Sequence, residues 1–423
     1  MANDSKIVRE SIPVWLMLAA LTTGFVLSHA FRTTIAIASD PLIAELSVSA
    51  HGIGAVAGAF NIAFAVAQPV VGVALDRYGP RNTVAVAFVL AILGSAVSAS
   101  ANGAITLIAG EWMIGFGCAP SLLAAMVFIS RRYPPNRFAL LSGIVFSAGG
   151  AGMLITGTPL AWIVETWSWR AGFVALGILA TLSWIAVFWL VEKEPAPSGT
   201  EHQPISDAIR DLRSIVRQPY TAGICCLAAT SYAAFLALRG LWLGPLFSER
   251  HAFSLIEVGH VAFVVSIAAM LGPLVFGWLD PGNRSRRTVI IGCSAVYAAF
   301  FVLHAFGASA FLDVALVILS CFLSGYITLQ YADLRSAYPA DMTGRALSVF
   351  TMAMFAGVSG MQWVSGLAAS IAPDLHFDPV SAALLLICGV LALGTLAFWL
   401  LPWPPNLRHS LKKTPNPELG MEI

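Results

Sequence analysis

The chain has 423 residues, of which 58% are hydrophobic and only 11% charged, with a mean hydropathy of +0.81 and a formal net charge of +1. A soluble globular domain carries about 25% charged residues, so the composition excludes a soluble protein and points to an integral membrane one. The near-zero net charge says little about partners, and no nucleic acid is expected.

A helix crosses a bilayer with about 20 apolar residues, and lipid offers no partner to an open backbone. Twelve apolar stretches meet this requirement: 13–37, 51–74, 82–101, 104–130, 138–164, 170–191, 220–246, 255–279, 288–307, 311–334, 346–372 and 379–402. The expected fold class is therefore an all-α membrane protein of twelve transmembrane helices. The first stretch is too long for a secretory signal and runs straight into more membrane. Lys and Arg collect in alternate loops; of 23, only Arg32, Arg170, Arg239 and Arg250 fall outside them. This asymmetry puts both termini on the cytoplasmic side.

Span one carries Arg32, and span seven carries Arg239 at the matching place. A charged side chain deep in a membrane costs roughly 2.5–3.5 kcal/mol on the insertion scale and marks function by default. Span two holds Pro69 seven residues before Asp76, and span eight holds Pro273 seven residues before Asp280. The loop after span four reads Tyr133-Pro134 and Arg137, and that after span ten Tyr338-Pro339 and Arg345. Between the halves lies the longest polar stretch, 192–219: a Pro/Ser/Gly linker, then Ile205–Val216 at amphipathic helical spacing, expected on the membrane surface. The chain thus divides into a six-helix bundle over 1–191, a cytoplasmic linker over 192–219, and a second bundle with a cytoplasmic tail over 220–423. A parallel repeat of this kind places its ligand near the bilayer midplane.

All six cysteines fall in spans, without disulfide or metal spacing. No metal and no cofactor is expected. No Gly-rich phosphate loop appears, the spans contain no lysine, and no nucleophile–base pair stands out. These absences argue against a primary pump and against an enzyme.

The segment Gly72-Val-Ala-Leu-Asp76-Arg77-Tyr-Gly79-Pro-Arg81, between spans two and three, resembles the signature loop of the major facilitator superfamily, and Gly277–Arg287 is a degenerate second copy. The resemblance covers nearly the whole chain. It implies two pseudo-symmetric six-helix bundles, a secondary transporter working by alternating access, and a monomer in a bacterial inner membrane. It makes Gly72, Asp76, Arg77, Gly79, Arg81 and Asp280 a conformational latch, with the two aspartates set against helix N-termini. It also implies that spans one, four, seven and ten line a central cavity, which singles out Arg32, Glu111, Arg239 and Asp313.

Two cations facing a cavity predict an anionic substrate, because guanidinium offers a planar fork to carboxylate or phosphate. Such a pair is similar to that of the organophosphate and organic-anion branches. Glu111 is the proton-coupling candidate: it pairs with Arg32 in the empty site, and an arriving anion displaces it to take a proton. His29, Gln330 and Gln362 are the polar groups expected to complete substrate binding. Asp313 is expected to be shallow, near the surface; Asp333, near the inner end of span ten, is a second coupling candidate, the alternative being that it faces the cytoplasm. Two features separate the chain from drug exporters. Glu111 stands where many proton-coupled exporters carry an Arg, four residues before Gly115-Phe116-Gly117, and Ser147–Pro159 lacks their Gly-Pro motif. The predicted activity is proton-coupled movement of a small organic anion. The alternatives are proton-driven efflux of an amphiphile and, in another class, a non-transporting membrane sensor.

Overall fold

The computed structural model describes residues 12–46, 50–156, 158–193, 205–307, 309–339 and 342–402. Within them the chain is helical, with short 3₁₀ and π segments. Eleven helical stretches are long and apolar enough to cross a membrane. One of these, Gly54–Ala99, is 46 residues long, about 69 Å at 1.5 Å per residue, twice a hydrocarbon core of roughly 30 Å. It breaks at Gly79, whose φ of 76° and ψ of 170° leave the helical region. Two passes follow, so the expected twelve are present. They are numbered α1 (Val14–Ile37), α2 (50–78), α3 (80–99), α4 (Ala104–Arg132), α5 (Phe138–Ile155), α6 (Trp169–Leu190), α7 (Pro219–His251), α8 (Leu255–Trp278), α9 (Asn283–Ala305), α10 (Ala310–Ala337), α11 (Thr343–Ile371) and α12 (Pro379–Leu400). Much of the 192–219 linker lies outside the described residues, but its amphipathic helix forms over Ile205–Arg217 and buries Ile215.

The chain packs as two compact units. The first contains residues up to Arg132 together with Ala148–Glu201; the second contains Tyr133–Ser147 and everything from His202. Helix α5 is thus shared. Its first half packs in the second unit, where Gly143 meets the Pro273 carbonyl and the Ser147 hydroxyl donates to the carbonyl of Met270. Its second half packs in the first, where Gly149 lies on the Phe25 ring and Gly152 on the Val26 carbonyl. Gly149 and Gly152 therefore serve close approach; Gly157 lies outside the described residues.

The internal repeat is visible in backbone and side chains. Gly282 repeats the conformation of Gly79, with φ 76° and ψ 169°. A residue with a Cβ avoids this region, so both loops require glycine. Arg81 donates to the Phe188 carbonyl at the end of α6 and lies 4.8 Å from the Phe188 ring centroid. Arg287 donates to the Phe398 and Leu401 carbonyls at the end of α12, 4.6 Å from the Phe398 ring. Each arginine satisfies carbonyls that the helix end leaves open. The repeated Phe-Trp-Leu at 188–190 and 398–400 is the sequence trace of this pairing.

The other end of each unit carries a clasp whose charges are inverted between the two. In the first unit Glu45 accepts from the Trp169 indole at 2.6 Å and pairs with Arg170, whose Nη2 also donates to the Ala101 carbonyl. In the second the arginine stands on the other partner: Arg250 pairs with Asp378 at 2.7 Å and donates to Ser381 and to the His304 carbonyl. Both clasps tie the extension of the first helix of the unit to the end of its third and the start of its sixth. Glu45 lies outside the membrane-spanning segments. The Trp169 and Arg170 hydrogen bonds hold its carboxyl below the ordinary range. At Asp378, burial pushes the carboxyl up, but the Ser381 and Arg250 hydrogen bonds outweigh it and leave the group low. A carboxyl lowered by folding stabilises above its unfolded value, about 4, and that stabilisation is lost as pH falls through the folded value. Thermal unfolding of detergent-purified protein is therefore expected to lose midpoint below about pH 4. Replacing both acids, as in the Glu45→Gln/Asp378→Asn protein, is expected to flatten that loss. An unchanged pH profile in the double variant would show that the clasps contribute nothing.

Candidate functional site

Each of the four predicted cavity helices has an interruption in its regular winding or a short helix continuing from its end, a feature that α5 shares with the short helix Thr158–Thr166 beyond it. Helix α4 breaks at Ala119, just before Pro120, and the Gln68 amide donates to the Ala119 carbonyl at 3.3 Å. Helix α10 breaks in the corresponding place, with a 3₁₀ turn over Ser324–Tyr326. Helix α1 ends at Ile37, and a short helix, Ser39–Leu46, continues from it. Helix α7 contains a π-helical turn over Leu238–Trp242. Such turns are rare and recur at functional sites, because the extra residue re-aims side chains and frees backbone groups. Arg239 sits inside this one.

In the first unit Arg32 is half-buried on α1. Its guanidinium carbon lies 5.4 Å from the Phe60 ring centroid and 5.3 Å from that of Phe64. The two rings are one helical turn apart on α2 and stack at 6.0 Å. A guanidinium over ring faces gains roughly 0.5–2 kcal/mol. His29, one turn earlier, is buried edge-on against Phe25 at 4.6 Å.

Glu111 on α4 is buried at 1% exposure. Neither of its oxygens has a hydrogen-bond partner among the described residues, and no ion pair reaches it. The expected Arg32–Glu111 pair is therefore not formed. The physical reason is packing: Arg32 is taken up by the aromatic faces of α2, and α4 is held close to α2 and α3 through glycines. A Cβ at Gly115 would stand 2.5 Å from the Phe60 carbonyl, and one at Gly94 would stand 2.8 Å from that of Gly110. Gly115-x-Gly117 thus serves helix packing. An ionised carboxylate without partners is costly to bury, and that cost falls away when the group carries a proton.

In the second unit Arg239 is half-buried, and its Nη2 donates to the Ser266 hydroxyl at 2.8 Å. No carboxylate pairs with it among the described residues. Gln330 is fully buried; its amide nitrogen donates to Ser231 at 3.1 Å while its Oε1 has no partner among the described residues. The hydroxyl of Tyr297, whose ring lies 6.4 Å from that of Tyr326, is likewise buried with no hydrogen-bond partner among the described residues. Gln362 is half-buried on α11. Ser365, one turn on, accepts from the Trp242 indole at 3.0 Å, which ties the π turn to α11.

Asp313 differs from expectation and is not near the surface: it is fully buried, with Oδ2 at 2.7 Å from His251 Nε2 and Oδ1 at 3.1 Å from His304 Nδ1. Sequence order hid this cluster, because its residues come from the ends of three helices. Asp333 does not face the cytoplasm; it is buried and accepts from the Tyr220 hydroxyl at 2.9 Å. Each signature loop has charged partners inside its own unit. Asp76 lies 3.7 Å from Arg131, and Asp280 accepts from Arg286 Nε at 2.8 Å and Nη2 at 2.6 Å. Gly72 is buried, and Arg77 lies over the Tyr78 ring.

The family model of the Major Facilitator Superfamily matches residues 21–361. The chain is 25% identical over 336 residues to the hexuronate transporter of Bacillus subtilis (strain 168), covering 75% of this chain and 79% of that protein. It is 24% identical over 421 residues to the D-galactonate transporter of Escherichia coli O6:H1, covering 92% and 95%. Among solved structures it is similar to the proton:xylose symporter XylE, at a TM-score of 0.70 and 14% identity, over 92% of this chain and 96% of that one. With the twelve passes, the repeated signature loops and the broken helices, these matches carry one conclusion: the chain belongs to the Major Facilitator Superfamily and is a multi-pass membrane transporter, not an enzyme.

Proposed function

We propose that the protein transports a small organic anion of the sugar-acid class by alternating access, coupled to protons, and that Arg32 and Arg239 recognise the carboxylate. The observation that carries this reading is Arg239: a membrane-embedded cation in a π-helical turn that donates to a neutral serine and pairs with no carboxylate among the described residues. A cation kept at such cost with no carboxylate beside it among the described residues is suited to an anionic ligand. The names of the relatives, hexuronate and D-galactonate transporters, support the same chemistry. His29, Gln330 and Gln362 supply hydrogen bonds to a polyhydroxylated chain. Glu111 carries the coupled proton. Gly72, Asp76, Arg77, Gly79, Arg81 and Asp280 form the loops that change partners as the transporter turns over. Two six-helix repeats with the linker between them, both termini in the cytoplasm, and a monomer in a bacterial inner membrane complete the proposal.

Counterflow in proteoliposomes tests it. Vesicles preloaded with unlabelled D-galactonate or glucuronate are expected to take up the labelled acid transiently. Vesicles preloaded with the corresponding neutral sugar are expected to take up none. Equal counterflow of the neutral sugar would refute an anion transporter.

A further inference from the structure

The first unit carries, outside the substrate site, a groove of about 640 Å³ between α2, α3 and α4. Its walls include Val70, Ala74, Val86 and Phe116, and one end is bounded by Tyr78 and Asn82. Val70 is 72% exposed and Val86 76%, so the groove opens on the outer surface of membrane-spanning helices. In a bilayer that surface is covered by lipid. An apolar groove there loses dispersion contacts unless a chain fills it.

The end of the groove is chemically distinct. Tyr78 has the amphipathic ring enriched at the membrane–water interface, and the Arg77 guanidinium lies 5.4 Å from its ring centroid. The neighbouring cations are occupied: Arg81 by the Phe188 carbonyl, Arg131 by Asp76 and Arg132 by Glu192. No carboxylate pairs with Arg77 among the described residues. The second unit offers an internal contrast, because Pro281 follows Asp280 where Arg77 follows Asp76.

We propose that this groove seats one acyl chain of an anionic phospholipid, with the headgroup phosphate held by Arg77 and hydrogen-bonded by Tyr78 and Asn82. Apolar walls take the chain, and a cation with no counter-ion among the described residues takes the charge. Because Arg77 belongs to the signature loop, lipid charge would act on the loop that the transport cycle uses. The inference does not depend on the identity of the substrate.

Native mass spectrometry of the purified transporter, released from micelles containing equal phosphatidylglycerol and phosphatidylethanolamine, tests it. Wild type is expected to retain one phosphatidylglycerol per chain, at least threefold over phosphatidylethanolamine. Val86→Trp, which fills the groove from an exposed position, is expected to cut retention of both lipids severalfold. Arg77→Gln is expected to keep the chain and erase the headgroup preference. Val70→Trp fills the same groove from another wall and replaces Val86→Trp if that variant fails to elute as a monodisperse peak. Glycerol phosphate, which has the headgroup without the chain, is expected not to compete at concentrations where lysophosphatidylglycerol does. Equal retention of the two lipids by wild type, undiminished retention by a folded Trp variant, or competition by glycerol phosphate alone would overturn the proposal.

Discussion

Arg32→Gln and Arg239→Gln are each expected to lower transport of the anionic substrate by at least 100-fold while leaving a folded, membrane-inserted protein. Truncating one member of a buried, hydrogen-bonded charge pair costs about 2–5 kcal/mol, and each 1.4 kcal/mol is roughly tenfold. The protein itself loses much less. Arg32 gives up its contact with the Phe60 and Phe64 rings, and Arg239 gives up its bond to Ser266. Each is a contribution of roughly 1–2 kcal/mol, against which the variant is spared a costly membrane cation. Lysine keeps the charge but not the planar fork, so Arg→Lys is expected to fall between wild type and Gln, about tenfold down. Initial uptake rates in proteoliposomes, normalised to inserted protein, decide this. Gln variants within threefold of wild type would make the arginines structural.

Glu111→Gln is expected to abolish uphill accumulation and spare exchange. The amide has nearly the shape of the carboxylic acid, so the buried packing around Glu111 is retained, but it cannot release a proton. One pH unit corresponds to 1.36 kcal/mol. With one proton per monoanion, a gradient of one unit therefore drives about tenfold accumulation in wild type. In Glu111→Gln the ratio is expected to settle near one, while counterflow at zero gradient continues. If the variant still concentrates substrate, the proton travels elsewhere, and the buried Asp313 and Asp333 become the groups to examine. If counterflow is lost as well, Glu111 is needed for turnover itself and the coupling role is refuted.

Spans, the repeat and the two arginines were legible in the sequence because each leaves a local signal. Hydropathy marks a pass, and a lone cation within one cannot be hidden. The turn between α2 and α3 was legible through the Asp-Arg-x-Gly pattern, although its backbone deviates at a single residue, Gly79. What the sequence did not show depends on which faces meet. The π turn at Leu238–Trp242 has no residue-level signature, since Leu-Arg-Gly-Leu-Trp winds equally well as α-helix. The His251–Asp313–His304 cluster and the Asp333–Tyr220 bond join residues from different helix ends, so no local pattern marks the burial of Asp313 and Asp333. The Arg32–Glu111 pair follows from depth alone, which two residues can share without facing each other. The roles of Arg81 and Arg287 do leave a trace, because the twice-written Phe-Trp-Leu shows that the ends of α6 and α12 are built alike.

The claim that the transporter recognises a carboxylate through Arg32 and Arg239 is tested most directly by thermal shift with matched ligand pairs: galactonate against galactose, and glucuronate against glucose. At 100 times Kd a ligand adds about 2.7 kcal/mol to the bound state, enough to move a melting curve by several degrees. At least one acid is expected to raise the midpoint of wild type while its neutral partner does not, and the shift is expected to vanish in both Arg32→Gln and Arg239→Gln. A neutral sugar that stabilises as well as its acid, or an acid shift that survives both substitutions, would contradict it.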